Sequence, residues 1–120
     1  MTINTMTVRG KSIAVVTECD TIRTTAEALD LLASVRYETH ADSLAIDKRL
    51  LEEKFFILSS GFAGEVLQKF VNYQMKLAIW GDFAHYTSKP LQDFIRESNK
   101  GRAVGFLPTQ EEAIDWLASR

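Results

Sequence analysis

Cysteine and histidine are scarce in this sequence, and each scarcity excludes a class of site. The single cysteine, Cys19, has no partner for an internal disulfide, so nothing requires an oxidising compartment. The two histidines, His40 and His85, lie far apart and form no ligand-spacing pattern for a metal, even together with Cys19. The stretch Gly61–Gly64 lacks the Lys-Ser/Thr pair and the third glycine of a phosphate-binding loop. We therefore expect neither a metal site nor a bound cofactor.

The chain also lacks an excess of positive charge and any long apolar run. Lys and Arg number 14 against 16 Asp and Glu, which gives a formal net charge of −2. General nucleic-acid binding needs a clustered basic face, so this balance argues against it. No apolar run is long enough to span a bilayer, and residues 1–4 lack the pattern of a signal peptide. We expect a cytoplasmic protein whose partners include neither nucleic acid nor membrane.

The pattern that is present predicts an α/β fold. A chain of 120 residues is long enough for one domain with a proper core, and we treat residues 1–120 as one domain. Alternation over residues 3–8, a turn at Arg9-Gly10-Lys11 and a nearly continuous apolar stretch at 13–17 predict a β-hairpin. Helix and strand patterns then alternate, which is typical of a parallel sheet with right-handed crossovers. The predicted order is β-β-α-β-α-β-α-β-α, a mostly parallel sheet with an antiparallel N-terminal strand.

Start signals mark the predicted helices. Thr24 and Glu27, and again Thr109 and Glu112, have the three-residue spacing of a capping box. Pro90 suits the first turn of a helix. We predict the later strands over 44–46, 75–80 and 103–107. The first three helices should end near Tyr37, Tyr73 and Ser98, and the last should begin at Thr109.

The stretch 58–70 organises the candidate site. Ser59 and Ser60 stand where a loop becomes a helix, and either hydroxyl could cap that helix by accepting from an unpaired backbone N–H. The same position gathers N–H groups and the positive end of the helix dipole, which favour an anion or a phosphoryl group. Phe62, Val66 and Phe70 recur at helical spacing and should face the core. Two interpretations stay open here: an ordinary helix cap, or a regulatory or anion-binding serine.

The element order and the serine stretch resemble the SpoIIAA-like fold of the STAS (sulfate-transporter and anti-sigma-factor-antagonist) domains. In those proteins a loop with Asp-Ser-Ser-Gly or Asp-Thr-Ser-Gly leads into a helix. A kinase phosphorylates a hydroxyl of that loop, and the phosphate breaks a protein–protein contact. Ser59-Ser60-Gly61-Phe62 stands in that place here, with Leu58 in the position of the aspartate. The resemblance implies that these four residues are phosphoacceptor or partner-binding candidates, with Ser59 aligned with the first hydroxyl.

A second resemblance extends over nearly the full length. The stretches Ile13–Val16, 35–39, 64–73 and 76–83 are similar to the characteristic segments of a bacterial family of unknown function, domain-of-unknown-function family 4180. This similarity implies a bacterial source and a STAS-like fold. It transfers no catalytic residue.

Catalysis would need a base and an orienting group beside a serine nucleophile. Loops at the carboxyl ends of parallel strands share one edge of the sheet, so Ser59, Asp82 and His85 could meet there. The stretch lacks the Gly-x-Ser-x-Gly turn that exposes a nucleophilic serine, and a surface histidine with a turn-forming aspartate explains the same residues. We expect no catalytic residue.

Aromatic residues in and beside these loops point to a working surface. We expect Phe62, Phe83 and Tyr86 to be exposed, although they could instead form a hydrophobic seal under the loops. The first hypothesis is a non-catalytic regulatory module that binds a protein, such as a kinase-like or sigma-factor-related partner. The alternative is a small-molecule or anion-binding protein, less readily a hydrolase, that uses the loops of Ser59, Asp82 and His85. A homodimer that works through an exposed helix or edge strand is the third hypothesis.

Overall fold

A computed structural model describes residues 2–120 and confirms the predicted element order. The elements are β1 (Thr2–Val8), β2 (Lys11–Glu18), α1 (Thr25–Thr39), β3 (Ser43–Asp47), α2 (Phe62–Asn72), β4 (Lys76–Trp80), α3 (Lys89–Lys100), β5 (Val104–Leu107) and α4 (Gln110–Ala118). Three short 3₁₀ turns, at Lys48–Leu50, Glu53–Phe56 and Leu58–Ser60, fill the long connection between β3 and α2.

The five strands form one sheet in the order β1-β2-β3-β4-β5. β1 is antiparallel to β2, and β2 to β5 are parallel neighbours, as predicted. The hairpin between β1 and β2 closes through Arg9 (φ 51°) and Gly10 (φ 79°). Positive φ at both central residues is what a type I′ turn requires, and that turn matches the twist of the paired strands.

Three helices cover one face of the sheet and one helix covers the other. The strands β2 to β5 are parallel and adjacent in chain order, so right-handed crossovers place the connecting helices α1, α2 and α3 on the same face. There Leu31, Val66 and Leu91 belong to one buried core with Ile46 and Ile79 of the sheet. α4 alone covers the other face, where its buried residues Ala113, Trp116 and Leu117 lie against Ile13, Val15, Ala45 and Ala78.

Local signals explain where the helices begin. Thr24 caps α1 in a full capping box, since its hydroxyl accepts from the Glu27 N–H while the Glu27 carboxylate accepts from the Thr24 N–H. Thr109 caps α4 by accepting from the Glu112 N–H. Both predicted caps are therefore confirmed. Within residues 2–120, no helix is both long and apolar enough to cross a membrane.

Candidate functional site

The candidate site lies at the edge of the sheet where the parallel strands end. The connection 48–61, which follows β3, and the loop 81–88, which follows β4, meet there. A cleft of about 450 Å³ opens between them, and we call it the edge cleft. Its lining comes from two segments: Glu53 and residues 56–59 of the first connection, and residues 85–88, Pro90 and Leu91 of the second loop and the start of α3.

An aromatic cluster forms the floor under these loops. Phe56 is buried, and its ring centroid lies 5.4 Å from that of Tyr86 and 5.9 Å from that of Phe83. Phe83 in turn packs edge-to-face against Phe106 of β5 at 5.6 Å. Phe83 and Tyr86 are partly buried and pack against the main core. Of the two alternatives for these aromatic residues, the structure therefore has the hydrophobic seal, with Phe83 and Tyr86 half-buried rather than exposed.

Polar groups fasten this cluster to the connection 48–61. The Tyr86 hydroxyl donates to Glu53 Oε1 at 2.8 Å. Burial, followed by this hydrogen bond to a carboxylate, raises the pKa of Tyr86 well above its ordinary value. The Lys48 ammonium lies 4.8 Å from the Tyr86 ring centroid and 5.5 Å from that of Phe56, within the range of a cation–π interaction. These contacts join two loops that are far apart in the sequence.

Gly81 allows the two loops to approach. Its φ is +156°, and a Cβ built on it would lie 2.7 Å from Lys48 Cβ, closer than real Cβ atoms come. Glycine is thus required there both by backbone conformation and by the position of Lys48.

The two serines of the site have different environments. Ser60 Oγ donates to the Lys54 carbonyl at 2.7 Å and accepts from the Phe62 N–H at 3.2 Å. Ser59 is exposed on the rim of the edge cleft, and no hydrogen bond within residues 2–120 engages its hydroxyl. Ser60 is therefore a structural residue of the connection, whereas the Ser59 hydroxyl is open to solvent and to a partner.

Gly61 occupies the N-cap of α2 in the left-handed region (φ 79°), and no side chain caps the helix. The predicted serine cap of α2 was therefore wrong in position. Ser60 lies one residue before the N-cap, and its hydroxyl accepts from the N–H of Phe62, the first residue of the helix. A Cβ built on Gly61 or Gly64 would meet no neighbour within 4 Å. Positive φ, rather than close helix–sheet packing, explains glycine at position 61.

Phe62 is buried, with 5% of its surface exposed. Its ring packs edge-to-face on Phe55 at 5.9 Å, and the Lys54 ammonium lies 4.8 Å from its centroid. The expectation of an exposed Phe62 was wrong because the first turn of α2 points this side chain into the core. Phe62 supports the site from below and cannot contact a partner directly.

Asp82 and His85 lie in the same loop, but their side chains make different contacts. Asp82 Oδ1 accepts from the Ala84 N–H at 2.9 Å, which is a turn-forming contact. His85 is exposed, its ring lies tilted against that of Tyr86 with centroids 4.2 Å apart, and it lines the same edge cleft as Ser59. Across the part of the chain that the structure describes, no hydrogen bond joins His85 to Ser59 or to Asp82. The geometry brings Ser59 and His85 to one cleft without the contacts of a triad.

Asp47, at the end of β3, is a further charged group at this edge. It is nearly buried, and its carboxylate accepts from the Arg49 backbone N–H at 2.9 Å and from the Arg49 guanidinium at 2.7 Å. Burial opposes its ionisation, but the hydrogen bonds from Arg49 outweigh burial and hold the pKa of Asp47 below its ordinary value. Asp47 thus fixes the start of the connection 48–61.

The contacts that hold the edge cleft together were not predicted from the sequence: Tyr86 was expected beside these loops, but its partners Lys48 and Glu53 were not identified. Lys48, Glu53 and Tyr86 carry no local motif, and Glu53 and Tyr86 are 33 positions apart. Only the inference that loops 48–61 and 81–88 share one edge pointed toward these contacts.

Comparison with known proteins gives one match. A family model described as "Domain of unknown function (DUF4180)" matches residues 8–117. No curated protein and no solved structure matches the chain. The matched range includes every residue of the edge cleft and the strands β2 to β5, but of β1 it includes Val8 alone. The chain therefore belongs to the DUF4180 family.

Proposed function

We propose that this protein is a non-catalytic, STAS-like regulatory module of the bacterial cytoplasm that binds a protein partner at the edge cleft. The observation that carries the proposal is the position of Ser59: its exposed hydroxyl stands on the cleft rim, and among residues 2–120 it has no hydrogen-bond partner. Ser59 is also the residue that aligns with the first hydroxyl of the STAS phosphorylation loop. A kinase-like or sigma-factor-related protein is the partner that this resemblance suggests.

The surroundings of Ser59 suit a partner contact. Ile57, two residues earlier, is 53% exposed beside the same cleft. The cleft floor is apolar through Phe56, while Glu53 and His85 supply polar groups at its walls. An apolar centre with polar groups around it is the usual composition of a protein-binding surface.

Phosphorylation of Ser59 would change this surface without disturbing the fold. A phosphoryl group adds negative charge and three strong acceptor oxygens. Because Ser59 is exposed on the rim, the added group has room outside the core. It would add negative charge to a cleft that already holds the carboxylate of Glu53, so repulsion would favour release of an acidic partner segment.

Paired substitutions of Ser59 test the proposal. We expect Ser59→Asp to weaken binding of a partner isolated from the source cells at least tenfold, while Ser59→Ala binds like the wild type. Ala26→Asp, which adds the same charge at an exposed position of α1, is the matched control and should leave binding unchanged. Equal affinities of Ser59→Asp and Ser59→Ala would refute the switch.

A second candidate function is the binding of a small anion in the edge cleft. The observation in its favour is that exposed His85 and exposed Ser59 line one cleft of about 450 Å³, a volume within the range of ligand sites. Titration with inorganic phosphate, followed by NMR shifts of residues 57–59 and 85–88, would support it if saturable shifts disappear in His85→Ala. Shifts that are weak, unsaturable and unchanged by His85→Ala would exclude it.

A further inference from the structure

The outer edge of β1 is unusually open for a sheet edge. β1 lies at the end of the strand order and is seven residues long, whereas β5, at the opposite end, has four. Its sequence TINTMTV contains no charge and no proline. Short length, charge and proline are the devices that keep sheet edges from pairing with other chains. β1 has none of them, and its one irregularity, between Thr2 and Ile3, lies at its start.

The hairpin register determines which backbone groups of β1 point outward. The pair Val8–Lys11 flanks a two-residue turn, so it exchanges hydrogen bonds, and such pairs alternate along an antiparallel ladder. Met6–Ile13 and Asn4–Val15 are therefore also hydrogen-bonded pairs. The N–H and C=O groups of Ile3, Thr5 and Thr7 then point away from β2. Within residues 2–120 no other hydrogen bond reaches these three residues.

The faces of β1 are also largely uncovered, apart from Ile3 and Val8, which are half-buried against the two cores. Thr2 and the four residues Asn4 to Thr7 are exposed, because the helices lie over β2 to β5. Met6 on the α4 side exposes 39% of its surface. A strand laid against β1 would thus meet open backbone groups and uncovered side chains on both faces.

A second copy of this chain fits that edge better than a general peptide does. Two β1 strands placed antiparallel about Thr5 bring Thr5 opposite Thr5, and Ile3 opposite Thr7 in both directions. All the outward N–H and C=O groups of the three residues then pair at once. No like charges face each other because the strand carries none. On the opposite face, Asn4 and Met6 of the two copies become neighbours.

We propose that the protein forms a two-fold homodimer through antiparallel pairing of β1 with β1 of a second copy, with Thr5 at the axis. The two sheets join into one continuous sheet of ten strands. The edge clefts of both copies remain open, because each cleft is formed by the loops that follow β3 and β4 and not by β1. This dimer is independent of the function proposed for the edge cleft.

Disulfide trapping tests the register directly. In a Cys19→Ser background, Thr5→Cys places the two thiols opposite each other, with Cα atoms about 5.5 Å apart, within disulfide range. We expect near-complete, reducible dimer on mild oxidation. Thr7→Cys is the matched control, because its two copies would lie four residues apart, roughly 14 Å along the strand, and should not cross-link. Equal cross-linking of both variants, or of neither, would overturn the proposed register.

Backbone substitution tests the hydrogen bonds themselves. Thr5→Pro removes an N–H that points outward, so the hairpin with β2 keeps its bonds while the dimer loses two. We expect sedimentation to show a dimer for the wild type and for Thr5→Val, which retains the N–H, and a monomer for Thr5→Pro. Circular dichroism checks that all three are folded, and if Thr5→Pro is not, the cysteine pair decides. A wild-type monomer at the highest soluble concentration would overturn the proposal.

Discussion

The α4 side of the sheet and its carboxyl edge are built by different means. On the α4 side, a capped helix lays Trp116 and Leu117 on the small residues Ala45 and Ala78. At the carboxyl edge, short 3₁₀ turns are held by one tyrosine–glutamate hydrogen bond, cation–π contacts and an aromatic cluster. The first arrangement buries Trp116 and Leu117 against the sheet, whereas the second leaves Ile57, Ser59 and His85 exposed around a cleft. The contrast separates the part that stabilises the fold from the part that can bind.

The largest effect should follow from removing the anchor of the α4 side. Trp116 is 7% exposed, and its indole N–H donates to the Asn99 carbonyl at 3.1 Å. We expect Trp116→Ala to lower the free energy of unfolding by about 3–5 kcal/mol in urea titrations. Tyr37→Ala, which removes an aromatic ring that is 84% exposed, is the control and should change it by less than about 0.5 kcal/mol. Similar losses in both variants would contradict this assignment of the core.

Gly105 is the counterpart of Trp116 on β5. A Cβ built on it would lie 2.8 Å from Trp116 Cε2, so even a methyl group forces the indole to move. Overpacking of this kind costs about 1–3 kcal/mol, and we expect Gly105→Ala to lower the unfolding free energy by that amount. The Trp116 fluorescence maximum should shift as well. If neither stability nor fluorescence changes, the close approach of α4 to β5 is wrong.

Tyr86 tests the fastening of the carboxyl edge. Tyr86→Phe removes the hydrogen bond to Glu53 but keeps the ring, so we expect a loss of about 1 kcal/mol at neutral pH. Because the folded protein raises the pKa of Tyr86 above its unfolded value, this contribution is complete below about pH 10 and falls as the pH rises further. Chemical denaturation across pH 7 to 11 should therefore show the unfolding free energy of the wild type falling toward that of Tyr86→Phe. Curves that stay parallel would argue against the raised pKa.

Asp47 and Arg49 should give the smallest effect, because the Arg49 side chain is 84% exposed. We expect Arg49→Ala to cost at most about 1 kcal/mol at pH 7. The pKa of Asp47 is lowered in the fold, so this contribution is present above its unfolded pKa, near 4, and disappears as the pH falls through the folded value. Stability measured from pH 7 down to pH 2 should show the two proteins converging. If the stability difference between the wild type and Arg49→Ala persists at acid pH, packing of the Arg49 side chain and not its charge would be the cause.

The same contrast explains what the sequence could predict. The hairpin turn at Arg9-Gly10, the capping boxes at Thr24 and Thr109 and the directions of the strands follow from local patterns and from the alternation of strands with helices. The regular elements of the fold were therefore predictable. The order of the strands within the sheet was not predicted.

The connection 48–61 was not predictable, because its shape depends on contacts with residues far along the chain. Glu53 meets Tyr86, and Lys48 meets Gly81, only after β3 and β4 have paired. The burial of Phe62 had a local signal, its spacing from Val66 and Phe70, which conflicted with the expectation of exposure. Of the candidate residues, Ser59 and His85 do line one cleft, whereas Asp82 turns its carboxylate to its own loop.

Phosphosite mapping tests the central claim, that Ser59 is the regulatory residue of the edge cleft. The protein would be purified from its native cells and analysed by mass spectrometry together with the proteins that copurify. We expect phosphate on Ser59 and none on Ser60, because the Ser60 hydroxyl is held between the Lys54 carbonyl and the Phe62 N–H. Phosphate on Ser60 instead, or Ser59 unmodified in every growth state, would show that Ser59 is not the regulatory residue.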